Sequence, residues 1–397
     1  MTDVPEFEDW SVDNLVLTKG QAAALEAVRR WLPRWRELGR PFFYLAGFAG
    51  TGKTTLASLI FKEVPRAIGA AYTNRAVSVL ETKGIVPSFT IHALIYRLAR
   101  ETPEEGDEKT LEWDINRRSR LRAASLLILD ECSMVGEKVA SDLLGFGIPI
   151  LVLGDPFQLP PVDEEAGYFT KREPDAMLTG VVRQQLGNPI IEFATAVREG
   201  SHDLPRFHDG KRLRILGSDK AKGFAGNADQ VICGLHATRH HLNDLIRERR
   251  GYRRPTPEPG EKLICLRTNR AHKLLNGTFW TVEACGPAPS GPHGDRVKLA
   301  IRNDEGVRVT VTVDERLFTE RPSGKEVGKH ADASPDALTW GYAVTCHKAQ
   351  ASEWNNVLVI DDGWGGDAEH RRWLYTAATR AAEKLIISTD AEAFDTT

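Results

Sequence analysis

Eight consecutive residues, Gly47-Phe48-Ala49-Gly50-Thr51-Gly52-Lys53-Thr54, match the phosphate-cradling pattern G-x-x-x-x-G-K-[ST]. Glycines let the backbone curl until its N–H groups point at phosphate oxygens, and a helix starting near Lys53 aims the positive end of its dipole at the same anion. In that chemistry Gly47, Ala49, Gly50, Thr51, Gly52 and Thr55 surround the phosphates of ATP. Lys53 reaches the β- and γ-phosphates, and Thr54 holds Mg²⁺. Two further stretches complement the loop. Ser125 to Leu129 is an apolar run that delivers Asp130 and Glu131 together. Adjacent acids are costly to desolvate without a cation, so Asp130 is expected to hold the water shell of Mg²⁺ and Glu131 to polarise the water that attacks the γ-phosphate. Ile148 to Leu153 runs into Gly154-Asp155-Pro156-Phe157-Gln158-Leu159-Pro160-Pro161-Val162, a proline-stiffened loop that presents Gln158 as a γ-phosphate sensor. Gln21, an amide upstream of the loop, is suited to bidentate pairing with adenine.

These residues need elements to hold them. Phe42 to Ala46 reads as the strand before the loop, Thr55 to Lys62 as the helix after it, and Thr18 to Leu32 as an amphipathic helix with Thr18 as its cap. Ala67 to Tyr72 is the next strand, ending in Thr73-Asn74-Arg75. In open α/β sheets ligands gather at the carboxyl ends of strands. Thr73, Asn74 and Arg75 therefore lie where a partner is touched or where a helix is simply capped. Thr90-Ile91-His92 carries the same two readings. Glu101 to Arg120 breaks the rhythm, as a small hairpin or a solvated loop.

A second α/β rhythm begins near residue 176, with Leu178 to Gln184 carrying Arg183. Gln230 to Leu235 reads as a strand before a polar helix holding Arg239, Asn243 and Arg247, and the basic run Arg247-Glu248-Arg249-Arg250 is expected to be a solvated helix face. From Asn276 to about Ala333 short alternating stretches between Gly/Pro/Asp turns suggest a small β-barrel. The α/β signal resumes at Thr339 to Thr345, continues through Val357 to Ile360, and closes with the helix Leu374 to Arg380 and the strand Leu385 to Ile387. Arg380 is a surface charge or, in a two-domain nucleotide motor, a finger for the γ-phosphate.

Composition sets the outer bounds. At 397 residues the chain is long enough for two packed units. A net charge of −3 announces no global basic field, although a basic groove fits on a neutral protein. Cys132, Cys233, Cys265, Cys285 and Cys346 are scattered without a C-x-x-C spacing, which suits reduced thiols of a cytoplasmic protein. The acidic amino terminus is no secretory signal, and no apolar run reaches the ~18 residues that span a bilayer.

Taken together, these motifs resemble those of the superfamily 1 helicases, and within them the RecD-like and Dda-like group, from Thr18 to about Ile387. Gln21 matches an adenine-reading glutamine, and Gly47 to Thr54 the P-loop. Thr73-Asn74-Arg75-Ala76 is similar to a DNA-contacting segment, with Arg75 for the usual lysine, and Thr90-Ile91-His92 to the Thr-x-His that follows it. Asp130 to Met134 resembles the family's Asp-Glu-Ala-Ser-Met string. Gly154 to Val162 is the most diagnostic stretch. Arg183 and Arg380 fall on the two arginine fingers. Thr345-Cys346-His347-Lys348-Ala349-Gln350-Ala351-Ser352-Glu353 resembles a motif whose Thr345 and His347 face DNA and whose Glu353 faces the nucleotide, with Ala351 for the usual glycine.

The resemblance implies an α/β fold of two RecA-like P-loop NTPase domains with parallel sheets. The first spans 1–95 and 121–175 and the second 176–275 and 334–397, with a hairpin insertion at 96–120 and an SH3-like β-barrel insertion at 276–333. It also implies a monomeric ATP- and Mg²⁺-dependent helicase that moves 5′ to 3′ on single-stranded DNA, acts at duplex junctions and has no membrane partner. A motor of the same fold acting on RNA or displacing proteins is one alternative. A small-molecule P-loop kinase is another, but it gives no role to the string around Gln158 or to Thr345 to Gln350.

Overall fold

Runs of consecutive apolar residues cannot alternate one face to water, so they belong in parallel sheets covered on both sides. The computed structural model describes residues 10–12, 15–103, 109–160, 167–180, 187–201, 204, 207–267, 269, 272, 274, 276–291, 294–304, 306–320, 336–350 and 352–389. It divides into two units, Met1–Asn188 and Pro189–Thr397.

In the first unit Trp10–Val12 (β1) and Leu15–Leu17 (β2) pair antiparallel ahead of helix α1, Lys19–Trp31. Phe42–Gly47 (β3) leads to α2, Lys53–Glu63; Ala67–Ala71 (β4) to α3, Asn74–Thr82; and Ser88–Thr90 (β5) to α4, Ile91–Ile95. Tyr96–Pro103 (β6) and Lys109–Ile115 (β7) form a separate antiparallel pair. Leu126–Asp130 (β8), helix α5 (Glu137–Leu144), Ile150–Gly154 (β9) and Ala176–Leu178 (β10) complete the unit. The main sheet has the order β10-β3-β9-β8-β4-β5 and is parallel throughout. Every residue of β3, β4, β8 and β9 is buried. A second rhythm was expected from residue 176. Instead, Ala176, Met177 and Leu178 pair with Leu45, Ala46 and Gly47, so β10 closes the edge of the first sheet.

The second unit opens with α6 (Pro189–Glu199) and builds a parallel sheet from Leu213–Gly217 (β11), Gln230–Cys233 (β12), Ala343–Thr345, Trp354–Ile360 and Ala381–Thr389. Helices α7 (Ser218–Lys222) and α8 (His236–Arg249) follow β11 and β12. Between β12 and the strand at Ala343 lies an antiparallel sheet of Lys262–Cys265 (β13), Phe279–Gly291 (β14), Gly294–Arg302 (β15), Arg308–Asp314 (β16) and Leu338–Trp340 (β17), in the order β16-β15-β14-β13-β17. The sheet thus takes strands from both sides of residues 276–333. Leu263, Cys265, Leu338 and Trp340 share its buried cluster with Val282 and Leu299, which draws β13 and β17 in. A short helix, α9 (Arg316–Thr319), follows β16. The remaining elements are β18 (Ala343–Thr345), α10 (Cys346–Ala349), β19 (Trp354–Ile360), α11 (Asp367–Ala378) and β20 (Ala381–Thr389), and the parallel sheet reads β11-β20-β19-β12-β18.

One sequence expectation needs correction here. Arg247 was assigned to a solvated helix face, but it is buried: Nε donates to Glu261 Oε1 at 2.6 Å, Nη2 donates to Arg254 O at 2.6 Å, and the guanidinium lies 3.7 Å from the Trp340 ring centroid. Its neighbours Arg249 and Arg250 stay exposed. Removing one partner of a buried ion pair leaves the other charge uncompensated. Arg247→Met is therefore expected to cost about 3 kcal/mol and to lower the thermal midpoint by several degrees. Arg247→Met combined with Glu261→Gln should recover part of that loss in the same melt.

Candidate nucleotide site and sheet edges

After β3 the chain passes through Gly50 and Gly52, both left-handed, with φ of +74° and +84°. Side chains other than glycine resist that conformation. Gly52 caps α2. A Cβ on Gly47 would lie 2.6 Å from Thr51 Oγ1 and 3.1 Å from Lys53 Cγ, so the loop closes only because position 47 is bare. Carbonyls displaced by the curl are met by donors. Lys53 Nζ donates to Gly47 O at 2.7 Å and Phe48 O at 3.0 Å, and Thr51 Oγ1 donates to Phe48 O at 2.8 Å.

Gln21 supplies another donor: Nε2 reaches Thr51 O at 2.9 Å, while Oε1 accepts from Thr18 N at 2.9 Å in a capping box. The buried amide expected to read adenine therefore ties α1 to the loop, with one Nε2 hydrogen beyond these two bonds. Ala49 lies in the same loop, and Thr55 on the first turn of α2.

Asp130 ends β8 beside this loop. Thr54 Oγ1 donates to Asp130 Oδ2 at 3.3 Å, and Glu131 N donates to Asp130 Oδ1 at 2.8 Å. Burial pushes the Asp130 carboxyl pKa up, against the Glu131 N–H, the Lys53 ammonium and the Thr54 hydroxyl, which favour the charged form. A buried acid that stays raised despite three such neighbours is one that a divalent cation would satisfy. A hydroxyl and a carboxylate side by side are the hard oxygen donors that Mg²⁺ takes. Glu131 itself is left-handed, with φ +55° and ψ +45°, a conformation that costs a non-glycine residue roughly 1–3 kcal/mol. The strain falls on the residue expected to act on water.

Strand β9 lies between β3 and β8, so its exit loop opens at the same sheet edge. Asp155 shapes that loop: Oδ1 accepts from Phe157 N at 3.0 Å and its carbonyl from Gln158 N at 3.3 Å, and both Asp155 and Gln158 are buried. Under it lie two residues that the motifs did not single out. A Cβ on Gly154 would run into Cys132 Sγ and approach Tyr44 Cε2 at 3.4 Å. Burial raises both the Tyr44 phenol and the Cys132 thiol, so this floor is neutral. The only sequence signal for it was a cysteine directly after two acids.

The expected DNA-contacting residues of the first unit gather at the neighbouring edge. Ala71 pairs with Thr90 in the β4–β5 ladder, which sets Thr73 and Asn74 beside Thr90 and His92. Thr73 Oγ1 accepts from Ala76 N at 3.2 Å and Thr90 Oγ1 from Ala93 N at 3.3 Å, so both hydroxyls cap helices. Arg75 lies on the first turn of α3. An aromatic run crosses the edge, with Tyr72 5.5 Å from His92 and His92 5.6 Å from Tyr96 between ring centroids.

In the second unit Thr345 ends β18, next to Cys233 at the end of β12, and is the N-cap residue of α10. His347 sits on α10 5.3 Å from the Trp364 ring, and burial lowers its pKa. Glu353 is exposed, just before β19. Arg380 is no surface charge: it is buried and donates to Thr376 O at 3.0 Å, Ser352 O at 3.3 Å and Thr379 Oγ1 at 3.1 Å. Arg183 lies outside the described residues, as do Pro161, Val162 and Ala351.

A glycine-rich loop between a parallel strand and a helix, with an acid at the end of the next strand but one facing its threonine, defines a P-loop nucleotide-binding fold. The family model described as an AAA domain matches residues 16–218, just over half of the chain, and a UvrD-like helicase C-terminal domain matches residues 341–388. The chain belongs to the family that this AAA-domain model describes, and its motifs and relatives are similar to those of the RecD-like superfamily 1 helicases.

Among its relatives is the ATP-dependent RecD2 DNA helicase of Deinococcus radiodurans, 27% identical over 98% of this chain and 51% of that protein. The RecBCD enzyme subunit RecD of Mycobacterium tuberculosis is 24% identical over 94% of this chain and 72% of the relative. The chain spans about half the length of the Deinococcus protein. The crystal structure of Bacteroides Pif1 bound to ssDNA superposes with a TM-score of 0.56 at 17% identity, covering 94% of this chain and 92% of that one. At that identity the likeness is one of fold.

The contact beneath Gly154 makes a direct test of the site floor. Gly154→Ala forces a methyl into Cys132 and is expected to cost about 1–3 kcal/mol in thermal unfolding. Adding Cys132→Ala opens the space and should return most of the lost stability.

Proposed function

We propose that the chain is an ATP- and Mg²⁺-dependent DNA helicase that moves 5′ to 3′ on single-stranded DNA and acts at duplex junctions. The observation that carries this reading is the Thr54 hydroxyl against the Asp130 carboxylate beneath a glycine loop. Family membership and the RecD2 and Pif1 relatives support the DNA helicase assignment. The Pif1 structure obtained with ADP-AlF3 and ssDNA, at a TM-score of 0.52, supports ATP as the nucleotide for this fold.

In this mechanism Lys53 exchanges its loop carbonyls for the β- and γ-phosphates, and the N–H groups from Gly47 to Thr55 hold the phosphate oxygens. Thr54 and Asp130 are the Mg²⁺ residues; the bound ion would neutralise charge developing on the β- and γ-oxygens. Glu131 orients the attacking water and takes its proton, and Gln158 reports on the γ-phosphate. Arg183 and Arg380 supply positive charge to the transition state, and Gln21 and Glu353 complete nucleotide binding. Thr73, Asn74, Arg75, Thr90 and His92 grip the strand from the first unit, as Thr345 and His347 do from the second. Contacts to phosphates and stacked bases make that grip sequence-tolerant and salt-sensitive.

The domain organisation belongs to this proposal with two limits moved: the second domain begins after β10, and the SH3-like barrel takes in β13 and β17, while the β6–β7 pair is the hairpin insertion. The protein acts as a cytoplasmic monomer. Five free cysteines suit a reducing compartment, and no helix among the described residues is long and apolar enough to cross a membrane.

Lys53→Ala and Arg380→Ala are each expected to lower ATP turnover stimulated by single-stranded DNA by 10²-fold or more, the scale on which transition-state charge is lost. Near-normal turnover in folded Arg380→Ala would remove it from the site. Duplexes with a single tail settle direction: unwinding from a 5′ tail is expected, and unwinding only from a 3′ tail would overturn the polarity. Stimulation by RNA alone would overturn the substrate.

A further inference from the structure

A tryptophan stands at the carboxyl edge of the second unit's parallel sheet, in the loop Asp361-Asp362-Gly363-Trp364-Gly365-Gly366 between β19 and α11. None of the helicase motifs includes it. The loop is polar and glycine-rich, yet it is anchored at both ends. Asp362 accepts from Gly234 N at 3.0 Å and from Leu235 N at 2.8 Å, and Asp361 Oδ1 meets His370 Nε2 at 2.8 Å. Gly234 is bare where it faces this loop: a Cβ there would collide with the Trp364 side chain. Trp364 is thereby seated against β12 while staying half-buried.

What surrounds the indole is equally specific. His347, on the motif that follows β18, is 5.3 Å from it at an interplanar angle of 72°. His236 opens α8, and its Nδ1 is buried with no hydrogen-bond partner among the described residues. Burial and the fields of Arg239, His240, Lys348 and His347 push its pKa down to about 4, so this imidazole is neutral at pH 7. Of the cations that act on His236, Arg239 is buried and Lys348 Nζ donates to Asn276 Oδ1 at 2.9 Å. A fixed, half-buried indole with an imidazole set edge-on to it offers a flat surface to a base. Sequence-tolerant single-strand binders stack bases on such aromatic faces.

We propose that Trp364 is a nucleobase-stacking residue for single-stranded DNA on the second unit, with His347 beside it. This rests on the reading above that the chain binds single-stranded DNA. Its test uses the full chain and a fluorescein-labelled oligo-dT strand, with binding followed by anisotropy. Trp364→Ala should weaken binding about tenfold, the usual loss for one stacked base. Trp364→Phe, which keeps an aromatic face, should retain most of the affinity. With 5-iodouracil in the strand, irradiation of the wild-type protein should give an adduct mapped to Trp364 by mass spectrometry.

Unchanged affinity in Trp364→Ala, an equal loss in the Phe and Ala variants, or adducts that spare Trp364 would each overturn the stacking role while the helicase reading stands. Failure of the wild-type protein to bind the strand at all would overturn both.

Discussion

A loop that turns its amides inward must find donors for the carbonyls it turns away, and the first unit is arranged around that requirement. Gly50 and Gly52 make the curl sterically possible. Lys53, the Thr51 hydroxyl and the Gln21 amide then take up the displaced carbonyls. Because Gln21 also closes the cap of α1, the start of that helix and the far side of the loop are one hydrogen-bonded unit. Leu178 adds a further bond, accepting from Phe48 N at 3.3 Å, which links the edge strand β10 to the same loop. The anion cradle is thus held from α1, α2 and β10 together.

The acid that faces the cradle has the opposite problem. Asp130 is buried at the end of an apolar strand, and its neighbours offset only part of the desolvation. A buried carboxylate compensated only by one hydroxyl, one N–H and a nearby ammonium is costly in a purely structural protein. Beside Thr54 it forms a pair of hard oxygen donors of the kind a divalent cation takes. The left-handed Glu131 follows from the same arrangement, since Asp130 Oδ1 holds the Glu131 N–H and so fixes the turn that the next side chain makes. Strain, burial and charge are concentrated within two residues, above a neutral floor of Tyr44 and Cys132.

Sequence revealed most where one local pattern was sufficient. Strands β3, β8 and β9 were legible because continuous apolar residues have no other home, and their polar ends named the site. Thr73 and Thr90 each carried two readings; the caps are visible in the structure, and nothing about a cap prevents the same edge from meeting a ligand. What stayed hidden depended on partners remote along the chain. Arg247 reads as one more basic helix residue until Glu261 and Trp340 are seen around it. Ala176–Leu178 is too short to announce a strand without β3 beside it. Gln21 was legible as an amide near the loop, but its bond to Thr51 O spans 30 residues and has no local signature.

Both parallel sheets bring polar and aromatic groups to their carboxyl edges, and the reason lies in the topology. Each strand there hands over to a turn whose backbone is not committed to a ladder, so caps, glycine turns and rings collect at that end while the opposite end stays packed. In the first unit the edge is divided between a cradle for phosphate at β3, β8 and β9 and the Tyr72, His92 and Tyr96 run near β4 and β5. In the second it carries Thr345, His347 and Trp364 near β12 and β18, while Arg380 is buried between the last turn of α11 and the start of β20. Its guanidinium donates there to Thr376 O, Ser352 O and the Thr379 hydroxyl, which ties the end of the helix to the turn before β19.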